Sequence, residues 1–400
     1  MKKKFSVPQP LLFAFIRIPY GVFLGFVRIP LPFLLRKENV SVDKIAEVVS
    51  FVLLPAAFYF LWSPLVDFKF GRRYWLLFAA FASAALLAFA LLGASLSASN
   101  CKWIMLVAFT ICLLTSAASG GLIASILPKN GRERSTGWYQ AGTLGASAFG
   151  GGVLLYLAER ITKTQFALCA FVLIAIPALS SLLMREPPAV PQSTIPLGGQ
   201  LKNEFQSTFW TKRNIVGILL ILAPIGTDAA AALWSGMAVD YHITGSQLSW
   251  ISGVGGAIFV IAGALLGGYL PAQYDKRAKY VCAGILNALA SMIFACGPVS
   301  QTIYFLGFGI YQFTIGICYT CLTSLVLEML GEAGISLSTR YTILISLSNI
   351  PVIYMTWMEG HAFSLYGNRA VSLTDAGGNL IIAAIFGVYF FNQHSKVPIS

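Results

Sequence analysis

Charge is scarce in this chain, and negative charge scarcer still. Of 400 residues only 10% are Asp, Glu, Lys or Arg, 15 acidic against 27 basic, too few to clothe a water-facing surface. That excludes a soluble domain of this length. Histidine is rarer again, with His242, His361 and His394 far apart and none at metal-ligand spacing. No Walker-type phosphate loop, H-E-x-x-H, G-x-S-x-G or paired-carboxylate motif occurs, so ATP-driven, metallohydrolase and serine-hydrolase readings have no residues to stand on. An enzyme is not expected, nor a cofactor or metal. The seven cysteines are odd in number and lack a disulfide framework. Cys318 and Cys321 form a C-x-x-C inside an apolar run without histidine partners, which reads as packing.

What the chain has is apolar length. Hydrophobic residues make up 57% and mean hydropathy is +0.76, in runs of about the 20 residues needed to cross a bilayer. Twelve spans are expected, over 9–35, 43–66, 74–97, 103–127, 135–157, 165–184, 214–239, 246–270, 279–297, 302–329, 339–358 and 370–392. Backbone polar groups in lipid must pair within a helix, and the alternating ten-residue strands of a barrel are missing. The fold class is therefore all-α integral membrane, with twelve transmembrane helices in two six-helix bundles. Residues 1–184 form the first bundle, 185–213 a cytoplasmic linker rich in proline from Pro187 to Pro196, and 214–400 the second. The opening Met-Lys-Lys-Lys suggests a signal peptide, but Arg17 interrupts the run and no small-x-small cleavage site follows. It is read as an uncleaved first span.

Basic residues fall unevenly about these spans. With the N-terminus inside, the cytoplasmic segments hold Lys2–Lys4, Lys69, Arg72, Arg73, Lys129, Arg132, Arg134, Arg185, Lys202, Lys212, Arg213, Lys276, Arg277, Lys279, Arg340 and Lys396. The opposite side holds Arg36, Lys37, Lys44, Lys102, Arg160, Lys163 and Arg369. This is the positive-inside pattern, with both termini cytoplasmic. It also accounts for the net charge of +12 without a nucleic-acid partner.

Between spans two and three lies Trp62–Trp75, WSPLVDFKFGRRYW. It resembles the G-x3-D-[RK]-x-G-[RK]-[RK] loop of major facilitator transporters through Asp67, Gly71, Arg72 and Arg73; Ser63 replaces the leading glycine and one extra residue separates Asp67 from Gly71. The flanking Trp-Ser-Pro and Phe-Gly-Arg-Arg-x-Trp resemble AmpG-type permeases. So do Leu127–Arg134, the seventh span and STRYTILISLSN at Ser338–Asn349. The resemblance implies secondary transport, a substrate site between two bundles and, among relatives, bulky anionic cargoes such as muropeptides and siderophores. It implies a bacterial inner-membrane location. Asp67, Arg72 and Arg73 are then candidates for a gating latch, against the alternative that they only hold the loop in the cytoplasm. The equivalent loop Gly267–Lys279 keeps Lys276 and Arg277 but has Ala272 where an aspartate would stand, so the latch is expected to be lopsided toward the first half.

Charges inside spans are costly and therefore informative. Arg17-Ile18-Pro19 recurs as Arg28-Ile29-Pro30, which on a straight helix puts both guanidinium groups within about 20° of one face and roughly 16 Å apart. Arg17 is expected to snorkel to the rim. Arg28 is the first candidate for an anion contact, since its fork matches carboxylate or phosphate; the alternative is a structural arginine on carbonyls freed by Pro30 and Pro32. In the seventh span Asp228 follows Pro224 and Gly226, marks of a loosened helix. It is the candidate proton-coupling residue, against a structural salt bridge to an arginine. Tyr20, Gln140, Trp234, Tyr311, Gln312 and Asn349 complete the candidate substrate contacts, helix packing being the alternative for each. Glu328 and Glu359 are expected at solvated span ends, and the depth of Asp375 is open. The expected function is proton-coupled uptake of a bulky anionic organic solute by a monomer. An exporter or lipid-like flippase and a non-transporting sensor are the alternatives.

Overall fold

The computed structural model describes residues 10–67, 70–93, 96, 99–126, 132–184, 212–271, 274–329 and 337–394. The 185–213 linker, except for its last two residues, lies outside them, as do residues 127–131. Among the described residues, eleven helices are long and apolar enough to cross a membrane, from Ile18–Lys37 to Asn368–Gly387. They coincide with eleven of the expected spans. The seventh is absent from that set because its helix is split.

Proline and glycine decide where helices break. The first apolar run divides into α1 (Pro10–Phe15), α2 (Ile18–Arg28) and α3 (Pro30–Lys37). Each Arg-Ile-Pro puts a proline in the first turn of a new helix, where its missing N–H costs nothing. Both arginines therefore sit at joints, and the straight helix with one arginine face is not formed. α4 (Val42–Leu53) gives way at Pro55 to tighter 3-10 turns that continue to Asp67. Next come α5 (Arg72–Leu91), α6 (Ser99–Ile126), α7 (Arg132–Ala158) and α8 (Lys163–Ala178).

In the second half α9 (Lys212–Ile221) stops short, and α10 (Ala229–Met237) restarts after Asp228. Between them Gly226 (φ 55°) and Asp228 (φ 60°) both take left-handed backbone. A Cβ on Gly226 would lie 2.4 Å from that of Cys318, so both φ and space require glycine there. A π-helical stretch, Ser249–Gly255, leads into α11 (Gly256–Tyr269). α12 (Lys276–Cys296), α13 (Gln301–Met329), α14 (Leu337–Tyr366) and α15 (Asn368–His394) complete the chain.

Packing repeats between the halves. α5 lies on α6 and α8, as α12 lies on α13 and α15; α2 lies on α7, as α10 lies on α14. The halves meet along α7–α11 and α4–α14. At the first seam a Cβ on Gly152 would stand 2.2 Å from the Gly253 Cα, so backbone meets backbone. At the second, polar side chains of α14 bond the 3-10 segment: Ser63 Oγ to Thr342 Oγ1 at 3.0 Å, Phe60 N to Ser346 Oγ at 3.2 Å, and Asn349 Nδ2 to the Ala56 carbonyl at 3.1 Å.

Candidate functional site

The two arginines of the first span have different fates. Arg28, at the end of α2, points across the seam and donates through Nη1 to Asp228 Oδ2. Gln312 Nε2 on α13 donates to the other carboxylate oxygen at 3.0 Å. Asp228 stands at the N-cap of α10, where the helix's amide end favours an anion. Arg28, Asp228 and Gln312 line a cavity of about 20 Å³ with Ser147, Ser252 and Phe308, room for one water at most. Both charged side chains are only 8% exposed. A pair this buried stays ionised only while it stays intact.

Arg17 lies within the first half. It does not snorkel: it is 4% exposed and bonds hydroxyls only, Thr143 Oγ1, Ser116 Oγ and Ser119 Oγ, each at 2.9 Å. Its guanidinium faces the rings of Tyr20 at 4.8 Å and Tyr139 at 4.3 Å. No carboxylate pairs with it among the described residues. Tyr59 is buried too, and its hydroxyl has no hydrogen bond. A cation held only by neutral acceptors' lone pairs and π faces is ready for an anion.

The remaining candidates are distributed through the seams and cores. Gln140 bridges α7 to α13 through Thr323 Oγ1 at 2.6 Å. Trp234 is packed between Phe294 and Tyr311, its indole N–H on Ser372 Oγ at 3.2 Å. Tyr311 donates to Asp375 at 3.4 Å. Arg72 donates to the Gly121 carbonyl at 3.1 Å, and Arg73 stacks on Tyr74. The Asp67 side chain lies outside the described residues. In the second-half loop, Asp275 caps α12 and pairs with Arg277 at 3.5 Å. Glu328 receives Lys276 at 3.8 Å and Arg277 at 3.7 Å. That loop therefore carries its own charge cluster, built on acids other than the one expected at 272.

One acidic position corrects the sequence reading, and a second fills in a depth that it left open. Glu359 is not at a solvated rim: α14 continues to Tyr366, and the side chain is fully buried. Asp375 is fully buried as well, accepting from Ser291 and Tyr311. At the end opposite Arg72, Arg36 pairs with Asp240 across the halves at 3.6 Å, and Lys37 with Glu159 at 2.5 Å.

A family model described as Major Facilitator Superfamily matches residues 12–350. Among solved structures, the chain is similar to the human organic anion transporter TETRAN at 14% identity and TM-score 0.68, covering 94% of this chain and 99% of that one. It is similar to a point mutant of the nucleoside transporter NupG, at 14% identity and TM-score 0.68, over 95% and 99%. A D-xylose–proton symporter matches at 13% identity and TM-score 0.67, over 94% of each. No curated protein sequence matches the chain.

Proposed function

The chain belongs to the Major Facilitator Superfamily, a multi-pass membrane protein of the secondary-transport class and not an enzyme, and from that premise we propose that it is a proton-coupled importer of a bulky anionic organic solute. The observation that carries this reading is the Arg28–Asp228 pair, buried between the halves beside a cavity too small for any solute. Alternating access requires the halves to separate there. Separation strands two buried charges unless each finds a substitute, and an anionic solute for Arg28 and a proton for Asp228 are the substitutes of matching sign. Binding either one lowers the cost of opening for the other, which is coupling in the thermodynamic sense. Arg17, with hydroxyls and aromatic faces but no carboxylate, is the second anion contact.

The split segment 212–241 is the twelfth crossing in this reading, giving two six-helix bundles with both termini cytoplasmic. The sequence likeness to AmpG-type permeases supports a cargo among muropeptides or siderophores, and a monomer in a bacterial inner membrane. Asp67 with Arg72 and Arg73 is the proposed latch. A flippase or exporter with an apolar cavity fits poorly with two buried guanidinium groups. The test is uptake into proteoliposomes under an imposed pH gradient, screened with anhydro-muropeptides, siderophores and nucleotide-linked acids. Concentrative uptake that collapses with the gradient supports the reading; binding without flux for every anion overturns it in favour of a sensor.

A further inference from the structure

Glu359 has no role in the bridge described above, yet it is the least satisfied charged side chain of the described core. It is fully buried, and neither carboxyl oxygen makes a hydrogen bond. It lies about two helical turns in from the Tyr366 end of α14, and Asp375 about two turns in from the Asn368 start of α15. A single turn at Gly367 (φ 77°) joins the two helices, so both carboxyls stand at one depth, roughly 10 Å from the helix ends. The charges that act on Glu359 are those of Asp375 and Asp228, both of its own sign.

Among the described residues, no compensating cation reaches it from the surrounding elements. α4, packed against α14, keeps Asp43, Lys44 and Glu47 exposed. α15 contributes Asp375 inward while Arg369 is exposed, and α10 contributes Asp228, already engaged by Arg28. α13 contributes Tyr311, whose hydroxyl serves Asp375. On α14 itself His361 is exposed. An ionised carboxylate with no donor and no counter-charge is among the most costly states a protein interior can hold. Buried carboxyls of one sign at one depth relieve that cost by keeping a proton. The partition between them is legible in the hydrogen bonds: Asp375 has two hydroxyl donors and Glu359 has none.

We propose that Glu359, with Asp375, is a proton-binding station of the C-terminal half, separate from the Arg28–Asp228 bridge, and that Glu359 carries the proton in this closed conformation. The step is simple: a Glu359 carboxylate oxygen takes H⁺ from water to form an O–H bond, and breaking that bond returns the same H⁺ to water on the other side. Tyr311 and Gln312 are neighbours on α13, one bonded to Asp375 and the other to Asp228. A shift of that helix turn disturbs both sites together. The use of the station in transport rests on the proton-coupled reading; its existence does not.

The experiment is infrared spectroscopy of the full-length protein in lipid nanodiscs, reading the C=O stretch of protonated carboxyl groups at neutral pH without any solute. Wild type should show a band that Glu359→Gln removes, and that Asp375→Asn leaves in place at a shifted position. Glu359→Leu, which removes the polar group altogether, should remove the same band and keeps the test open should the glutamine variant fail to fold. An unchanged spectrum in both Glu359 variants overturns the proposal. So does a wild-type band lost when choline is replaced by sodium, which would make this a sodium site. In pH-gradient uptake with the anion panel above, Glu359→Gln should lower accumulation at least tenfold while keeping exchange; unchanged accumulation overturns the station's use in transport. A wild-type band present with no gradient-driven flux for any anion supports the station and sinks the transport reading instead.

Discussion

Among the described residues, the buried charged side chains of the N-terminal half are cations, Arg17 and Arg28; deep in the C-terminal half they are acids, Asp228, Glu359 and Asp375. Arg277, also buried, lies at the start of α12 among its own acids. The halves are thus built alike in helix packing and opposite in buried charge. Of the five deep groups only one cation and one acid meet, Arg28 with Asp228. The others are left to neutral partners, Arg17 to hydroxyls and Asp375 to hydroxyls, with Glu359 to none. On the function proposed above, separating such halves calls for a mobile anion on one side and a mobile cation on the other.

The sharpest way to break this comparison is to remove one side of the shared pair. Asp228→Asn should abolish proton-driven uptake while sparing counterflow exchange, and Arg28→Ala should cost about 3–5 kcal/mol of stability by stranding a buried carboxylate, read as a lowered unfolding temperature in detergent. The exchanged pair, Arg28→Asp with Asp228→Arg, should recover part of that loss; recovery in a double-mutant cycle measures the coupling directly. Next is the seam itself. Gly152→Ala drives a methyl into the Gly253 backbone and should cost about 1–3 kcal/mol by overpacking, with uptake slowed more than substrate binding. Arg17→Gln removes the charge while keeping donors, and should weaken anion binding by roughly 1.5–3 kcal/mol, the range for hydrogen bonds to charged groups, seen as a raised KM with little change in kcat. Smallest should be Glu328→Gln, which loses two partly exposed contacts worth about 0–1 kcal/mol; a larger loss of uptake than of stability would move the latch to the second-half loop.

The spans and the loosened seventh helix were legible because apolar length, proline and glycine act locally. Arg28 and Asp228 were each legible as costly charges, and a salt bridge from Asp228 to an arginine was the stated alternative that the structure shows, but which arginine was not legible, since no local rule joins residues 200 positions apart. Arg17 was misjudged because rim distance was counted along a straight helix that Pro19 interrupts. Glu359 was misjudged for a related reason: hydropathy falls after Trp357, and the side chain was read as solvated at a span end when the helix continues about two more turns to Tyr366 and keeps Glu359 buried. Asp275 escaped the loop comparison because it occupies a capping position rather than the aligned one. Asp67 remains a sequence-level candidate, its side chain outside the described residues.

The bare contact between Gly152 and Gly253 gives the molecule something like a knife-edge bearing. Where two surfaces touch through backbone alone, one can tilt over the other without any side chain changing rotamer, so the resistance to tilting there is steric and nearly free of rotamer barriers. The slow event in a transport cycle is then expected at the charges that must change partners, and the temperature dependence of turnover should report ionic rearrangement rather than the repacking of a core.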